Sequence, residues 1–128
     1  MLSDEEAERL VAGVIALQQA DGGFRLADLG PWPSQDGTPP SQRSDGYATA
    51  FATFVLQRLS EPSAADAVSR GVAWLEQNQS PDGRWESLSP NMDRSRQGAF
   101  RRLLMSDAAT GFAVLALTSQ AEPARTEP

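Results

Sequence analysis

The sequence contains no cysteine and no histidine, and these two absences remove several classes of chemistry. Without cysteine there is no disulfide and no thiol nucleophile, and without histidine there is no imidazole base. A zinc site built from Cys and His ligands is excluded for the same reason. The sequence therefore predicts no metal and no cofactor, and the lack of cysteine leaves the redox compartment open.

Basic residues are scarce, and long hydrophobic runs are missing. Eleven basic residues stand against 17 acidic ones, which gives a net charge of −6 and a pI near 4.5. This balance disfavours nucleic acid and anionic membrane surfaces, because both select basic patches. No apolar run reaches the roughly 18 residues of a membrane span, and the start M-L-S-D-E-E is acidic where a signal peptide would be basic. We expect a soluble protein of unknown localisation, with no signal peptide in the chain as given.

The most informative stretch is R-G-V-A-W-L-E-Q-N-Q-S-P-D-G-R-W at 70–85. Its first half has the apolar spacing of an amphipathic helix, which Pro81 must end because proline lacks an N–H donor. Gly83 can take a positive φ, so the chain can reverse there and bring Trp85 over Gln79. The pattern predicts a helix end, a tight turn and an aromatic that folds back.

The same arrangement occurs 61 positions earlier. Gln79, Gly83 and Trp85 map onto Gln18, Gly22 and Phe24. The register continues into the following segment, where A-T-G-F-A at 109–113 maps onto A-T-A-F-A at 48–52. Two matches with one offset indicate two tandem copies of a helix–turn–loop–helix unit.

These residues resemble the QW motif of the prenyltransferase and squalene-oxidase repeat. That repeat occurs in squalene–hopene cyclases, oxidosqualene cyclases and the β subunits of protein prenyltransferases. The resemblance covers residues 4–118 and is weaker in the first copy, where Phe24 stands for the tryptophan. It implies an α/α toroid, in which inner and outer helices alternate.

Helical periodicity and turn residues predict four helices at about 4–19, 45–59, 64–78 and 107–118. Ser3 with Glu6 forms a candidate capping box, Ser44 or Asp45 is the candidate N-cap of the second helix, and Ser106 is that of the fourth. Long loops are expected at 20–43 and 86–104. The expected domain is 1–118, with repeat one at about 4–59, repeat two at about 64–118 and a disordered tail at 119–128.

The predicted helices alternate in character. The first and third are amphipathic, whereas the second and fourth are apolar on nearly every side, which suits an outer and an inner layer. The fold class is therefore all-α, as two helical hairpins of an α/α toroid. Two hairpins cannot close a ring, so the flanks of the inner helices should stay uncovered, and such patches mark interfaces. A closed trimer, a dimer and docking to a larger subunit are all compatible with this pattern.

The chemistry of the related enzymes does not transfer to these residues. Squalene–hopene cyclases protonate their substrate with the middle aspartate of D-x-D-D-T-A. Here the matching stretch is D-G-Y-A-T-A at 45–50, which places Tyr47 at the proton donor. Asp45 and Asp107 are interpreted as residues of helix starts, and no catalytic residue is assigned.

Three functions remain open at this stage. The first is a non-catalytic repeat module that assembles with itself or with a larger protein through the inner-helix flanks. The second is a carrier of an apolar, isoprenoid-like lipid, and the third is a cyclase fragment. The carrier would use aromatic residues of the inner helices, namely Tyr47, Phe51, Phe54 and Phe112.

Overall fold

The computed structural model describes residues 2–30, 41–87 and 96–121; the side chains of 96–104 and 120–121 are not part of that description. The α-helices are α1 (Asp4–Ala16), α2 (Gly46–Leu59), α3 (Ala65–Gln77) and α4 (Arg96–Ala121). Two 3-10 helices lie at Leu26–Leu29 and Pro62–Ala64. No strand occurs in these ranges, which confirms the all-α class.

Helix α1 begins with the predicted capping box. The Glu6 amide donates to Ser3 Oγ at 3.1 Å, and the Ser3 amide donates to Glu6 Oε2 at 2.9 Å. The helix ends at Ala16 rather than at 19, so its predicted end is wrong. The cause is local: the Gln19 amide leaves the helical pattern and donates to the carbonyl of Gly23 at 2.8 Å.

Helices α2 and α3 lie within one residue of their predicted bounds. Asp45 is the N-cap of α2, because its Oδ1 accepts from the Ala48 amide at 3.0 Å. Helix α2 ends at Leu59 and is followed by the C-cap Ser60, whose φ of 53° is left-handed, a conformation typical of helix ends. Pro62 then starts the short 3-10 helix that leads into α3.

The predicted start of the fourth helix is wrong. Helix α4 begins at Arg96, so the predicted loop 86–104 is helical from 96 onward. Ser106 is not an N-cap and Asp107 does not start a helix, since both lie inside α4. The segment R-Q-G-A-F-R-R-L-L-M at 96–105 explains the difference, because arginine, leucine and methionine favour helix. The helix also includes 119–121 of the predicted tail, and residues 122–128 lie outside the described ranges.

Helix α2 is the centre of the packing and contacts α1, α3, α4 and the first 3-10 helix. Its most extensive partner is α4. Tyr47 contacts Phe112, and farther along both helices Gln57 Nε2 donates to the carbonyl of Ala116 at 2.8 Å. The contacts follow the same order along both helices, so α2 and α4 run in the same direction. One core cluster forms around Leu56 and a second around Leu75.

Candidate functional site

The two turns predicted from the repeat have the same backbone geometry. We call residues 18–24 the first turn and 79–85 the second turn. Gly22 has a φ of 91° and Gly83 a φ of 86°, so both use the freedom that glycine alone has. The Gly22 amide donates to the carbonyl of Gln19 at 3.0 Å, and the Gly83 amide donates to that of Ser80 at 2.8 Å.

The side chains of the two turns also form matching hydrogen bonds. Gln18 Nε2 donates to the Gly22 carbonyl at 2.9 Å, and Gln79 Nε2 donates to the Gly83 carbonyl at 3.0 Å. In each turn the glutamine side-chain amide closes the turn that the glycine makes possible. This contact explains why glutamine precedes glycine by the same number of residues in both turns.

Each turn is tied by a threonine to the next long helix along the chain, the first turn to α2 and the second to α4. The Phe24 amide donates to Thr49 Oγ1 at 2.9 Å, and the Trp85 amide donates to Thr110 Oγ1 at 3.2 Å. Both aromatic side chains are buried, with Trp85 Nε1 donating to the Leu75 carbonyl at 2.8 Å. Trp85 therefore fixes the turn to α3 and does not cover Gln79, which is exposed.

The first turn is covered by helix α3 of the second repeat. Arg70 donates to the carbonyls of Gln19 and Ala20, both at 3.1 Å, and to Gln18 Oε1 at 3.3 Å. Gln18 Nε2 in turn donates to the Ala67 carbonyl of α3 at 2.9 Å. We call this contact between the repeats the repeat junction.

Asp21 adds a charged group to the repeat junction. Its carboxylate accepts from the Ser44 hydroxyl at 2.7 Å, the Gly23 amide at 2.9 Å and Trp74 Nε1 at 3.2 Å. Burial opposes ionisation of Asp21, but the hydrogen bonds from Ser44, Gly23 and Trp74 outweigh it and lower its pKa. The carboxylate links both repeats as a hydrogen-bond acceptor.

Close packing completes the repeat junction between α2 and α3. A Cβ added at Gly71 would lie 2.2 Å from Thr53 Oγ1, so only glycine fits against this threonine without a shift. Thr53 Oγ1 is buried and has no hydrogen-bond partner in the described part of the chain. The contact is therefore held by shape rather than by a polar bond.

The base of α2 is a polar cluster around Asp45. Ser87 Oγ donates to Asp45 at 2.8 Å, and the Ser87 amide lies 3.4 Å from Ser106 Oγ, which accepts its hydrogen bond. Asp45 thus acts as a helix cap and as an anchor for the chain that leaves the second turn, which supports its interpretation as a helix-start residue. Asp107 is exposed on α4.

The four aromatic residues predicted to line an apolar site lie together as an aromatic cluster. Phe112 makes an edge contact with Phe51, with ring centroids 5.2 Å apart, and another with Tyr47 at 5.7 Å. Phe54 lies 6.1 Å from Phe112, and Tyr47 stacks on Phe51 at 5.9 Å. The cluster spans α2 and α4, and Phe51 is exposed at its surface.

Large apolar side chains are exposed on helices α1, α2 and α4 of the described structure. Val114 and Leu115 on α4 are 49% and 47% exposed, whereas Leu10 on α1 and Phe51 on α2 are 44% and 36% exposed. Leu2 is also exposed. An open cavity of about 340 Å³ lies elsewhere, against Leu56, Gln57 and Val68, and none of the four clustered aromatics lines it.

Metal and membrane features are absent from the described ranges. No group of three acidic, cysteine or histidine residues there could hold a metal ion. Among the same residues, no helix has both the length and the apolar content that crossing a membrane requires.

Among known proteins, no family model, no curated protein and no solved structure matches the chain.

Sequence reasoning missed three groups that hold this site together. Thr49 and Thr110 occupy equivalent positions in the two repeats. That equivalence could have indicated that each hydroxyl binds its own turn. The contact between Trp74 and Asp21 had no such signal, because the residue equivalent to Trp74 in the first repeat is Gly13.

Proposed function

We propose that this chain is a non-catalytic repeat module of the terpenoid-cyclase and prenyltransferase type, which assembles with itself or with a partner protein. The observation that carries the proposal is the uncovered edge of α4, where Val114 and Leu115 are each about half exposed. A partner chain that covered these two side chains would remove their apolar surface from water, which favours association.

The hydrogen bonds of the two turns support the repeat part of this proposal. Each turn combines a glutamine that closes it, a glycine with positive φ and a buried aromatic. The same three residue types define the motif that the sequence resembles. Helices α2 and α4 lie side by side as two inner helices of a toroid would, and α1 and α3 would belong to its outer layer.

A substitution on α4 tests the assembly. We expect the native protein to have a mass above the 13.8 kDa of one chain. Val114→Asp should return it to the single-chain mass, because a carboxylate at the centre of an apolar contact costs several kcal/mol when it is buried without a partner. The measurement is light scattering behind gel filtration at micromolar concentration.

Ser69→Asp is the matched control, since Ser69 is exposed on α3 and faces away from Gly71. Leu56 is unsuitable for this purpose because it is 1% exposed and its substitution would disrupt the core. A native protein that has the mass of one chain across the micromolar range would contradict the proposal.

A second candidate is the binding of an apolar, isoprenoid-like lipid. The observation in its favour is the aromatic cluster, in which Tyr47, Phe51, Phe54 and Phe112 meet across two helices. Squalene and a prenyl alcohol are the probes. Saturable binding should be lost in Phe51→Asp and kept in Val114→Asp, with circular dichroism confirming that both variants are folded.

A further inference from the structure

The repeat junction shows which surface each repeat offers to its neighbour. The first repeat contributes the first turn together with Thr53 and Phe54 of α2. The second repeat contributes Arg70 and Gly71 of α3 and Phe112 of α4. These groups meet in three contacts: arginine with the turn, glycine with threonine, and Phe112 with Phe54.

The repeat offset identifies the same surfaces at the two ends of the chain. The equivalents of the first turn, Thr53 and Phe54 are the second turn, Val114 and Leu115. We call this surface the trailing edge. The equivalents of Arg70, Gly71 and Phe112 are Arg9, Leu10 and Phe51, which form the leading edge.

Both edges are uncovered. Leu10 is exposed on the leading edge, as is the part of Phe51 that its contacts with Tyr47 and Phe112 leave open, and Val114 and Leu115 are exposed on the trailing edge. Among the large exposed apolar residues of the described structure, Leu2 alone lies on neither edge. Apart from Leu2, the large apolar residues exposed in the described structure thus lie where a repeat would meet its neighbour.

The polar groups of the two edges are also complementary. Arg9 is exposed and forms no hydrogen bond or ion pair with the residues that the structure describes. In the repeat junction its equivalent, Arg70, donates to two backbone carbonyls and to Gln18. The corresponding acceptors on the second turn are the carbonyls of Ser80 and Pro81 and the side chain of Gln79.

The glutamine of the second turn is free on one side. Gln18 Nε2 donates both to its own turn and to the Ala67 carbonyl across the repeat junction. Gln79 Nε2 donates to its own turn at Gly83 and remains exposed. The group equivalent to Ala67 is the carbonyl of Glu6, on the leading edge.

We infer that the trailing edge of one chain binds the leading edge of a second copy, in a head-to-tail contact between the same surfaces that meet in the repeat junction. The two helices lie farther apart in this contact, because Leu10 stands in the place of Gly71 and its side chain must fit beside Val114. This inference rests on the proposed function and names the partner. Arg9 and Leu10 of one copy contact the second turn and Val114 of the other, and Phe51 contacts Leu115. A second copy is the occupant because one chain carries both halves of the contact.

The contact has a direct consequence for assembly. Head-to-tail association uses two different surfaces, so a pair of bound copies still presents one free edge of each kind, at its two ends. Copies therefore add until a ring closes, and they form an open chain if no ring closes. A symmetric dimer that pairs one kind of edge with itself would, by contrast, leave both edges of the other kind exposed.

Engineered cysteines test the polarity, and the absence of native cysteine makes the result clear. Leu10→Cys and Val114→Cys are made as separate proteins, mixed and mildly oxidised. In the repeat junction, a Cβ at Gly71 would lie 3.3 Å from Thr53 Cβ, close to the roughly 3.8 Å of a disulfide. The equivalent pair across two chains should therefore form a bond.

We expect a shift from the 13.8 kDa single chain to twice that mass in the mixture, on a gel without reductant. Neither variant alone should shift. The matched control replaces Leu10→Cys by Glu8→Cys, since Glu8 is exposed on α1 but faces away from Leu10. Its mixture with Val114→Cys should remain at the single-chain mass.

The other outcomes separate this inference from the proposed function. Efficient dimers of Val114→Cys alone would overturn the head-to-tail polarity and leave assembly intact. If no cross-link forms although the native mass is that of an oligomer, the head-to-tail polarity is likewise overturned and assembly is kept. An absent cross-link with a single-chain native mass would overturn both.

A charge reversal gives a second test that needs no disulfide. Arg9→Glu should abolish the head-to-tail contact, because a carboxylate would face the carbonyl oxygens that accept from arginine. Arg43→Glu, at another exposed position, should leave the native mass unchanged. An oligomer that survives Arg9→Glu without loss would contradict the inference.

Discussion

The first and second turns share their internal hydrogen bonds but differ in what surrounds them. In the first turn, Gly22 is buried and a Cβ there would lie 2.7 Å from the Arg70 carbonyl. In the second turn, the nearest atom to such a Cβ is Gln79 Nε2 at 3.8 Å. The fold of the turn is therefore local, whereas its burial depends on a neighbouring repeat.

The helices show the same contrast between a covered and an uncovered surface. Thr53 on α2 is buried against Gly71, but its equivalent Val114 on α4 is about half exposed. A duplicated sequence thus produces two environments, because the second repeat has a neighbour on one side and none on the other. Because Val114 at the uncovered position is apolar, its exposure favours association with a partner.

The largest expected effect separates the two glycines of the turns. Alanine at either position is strained by the positive φ, which costs about 1–2 kcal/mol. Gly22→Ala adds a clash with backbone, so we expect a total loss of about 2–4 kcal/mol in the free energy of unfolding. Gly83→Ala should lose only the about 1–2 kcal/mol that the positive φ costs, because no backbone atom lies against its new methyl group. Urea unfolding measures both, and equal losses would contradict the difference in packing.

Alanine at two glycines within helices should change the free energy of unfolding by smaller amounts, with opposite signs at the two positions. Gly71→Ala should destabilise the fold by about 1–2 kcal/mol, because all three side-chain atoms of Thr53 beyond Cα crowd the new methyl group. Gly13→Ala on α1 meets nothing within 4 Å. It should stabilise the protein by up to about 1 kcal/mol through helix propensity. Loss of stability in both variants would show that α1 is packed more tightly than described.

Much of this arrangement is predictable from the repeat offset alone. The turns, their glycines and the aromatic cluster follow from residues that recur with one spacing and from helices that are apolar on most sides. The start of α4 does not follow, although Ser106 is the equivalent of the N-cap Asp45. The sequence before Ser106 is helix-forming, whereas that before Asp45 is S-Q-R-S, and local propensity decided the outcome.

The sequence predicts that some apolar surface is exposed at the edges, but it does not predict which residues form that surface. Two helices that are apolar on nearly every side are expected to leave a flank uncovered in a chain of this size. Which residues form that flank depends on the rotation of α4 about its own axis, and this is set by the packing of Ala109, Ala113 and Ala116. Alanine patterns on a helix that is apolar nearly all round do not fix that rotation.

The smallest expected effect concerns the acid stability of the repeat junction. The pKa of Asp21 is lowered in the folded protein, from an ordinary value of 3.8. Its carboxylate therefore stabilises the fold above that value, and the contribution disappears as the pH falls through the lower, folded-state pKa. Asp21→Asn should lower the urea midpoint at neutral pH, and the difference from the native protein should shrink below pH 3.8.

Asp82→Asn is the matched control for that change. In the described structure Asp82 accepts from the Arg84 amide at 3.1 Å, within its own turn, and it makes no contact with another repeat. We expect a smaller shift of the urea midpoint for this variant. A larger shift for Asp82→Asn than for Asp21→Asn would reverse the assignment of the covered and uncovered turns.

Hydrogen exchange distinguishes the covered first turn from the uncovered second turn. In a dilute sample the amides of 80 and 82–84 should exchange faster than those of 19–23, because only the first turn is covered by a neighbouring repeat. As the protein is concentrated and its native mass rises, the second turn should gain protection and the first should not change. A second turn that exchanges at one rate while the mass rises would contradict the account.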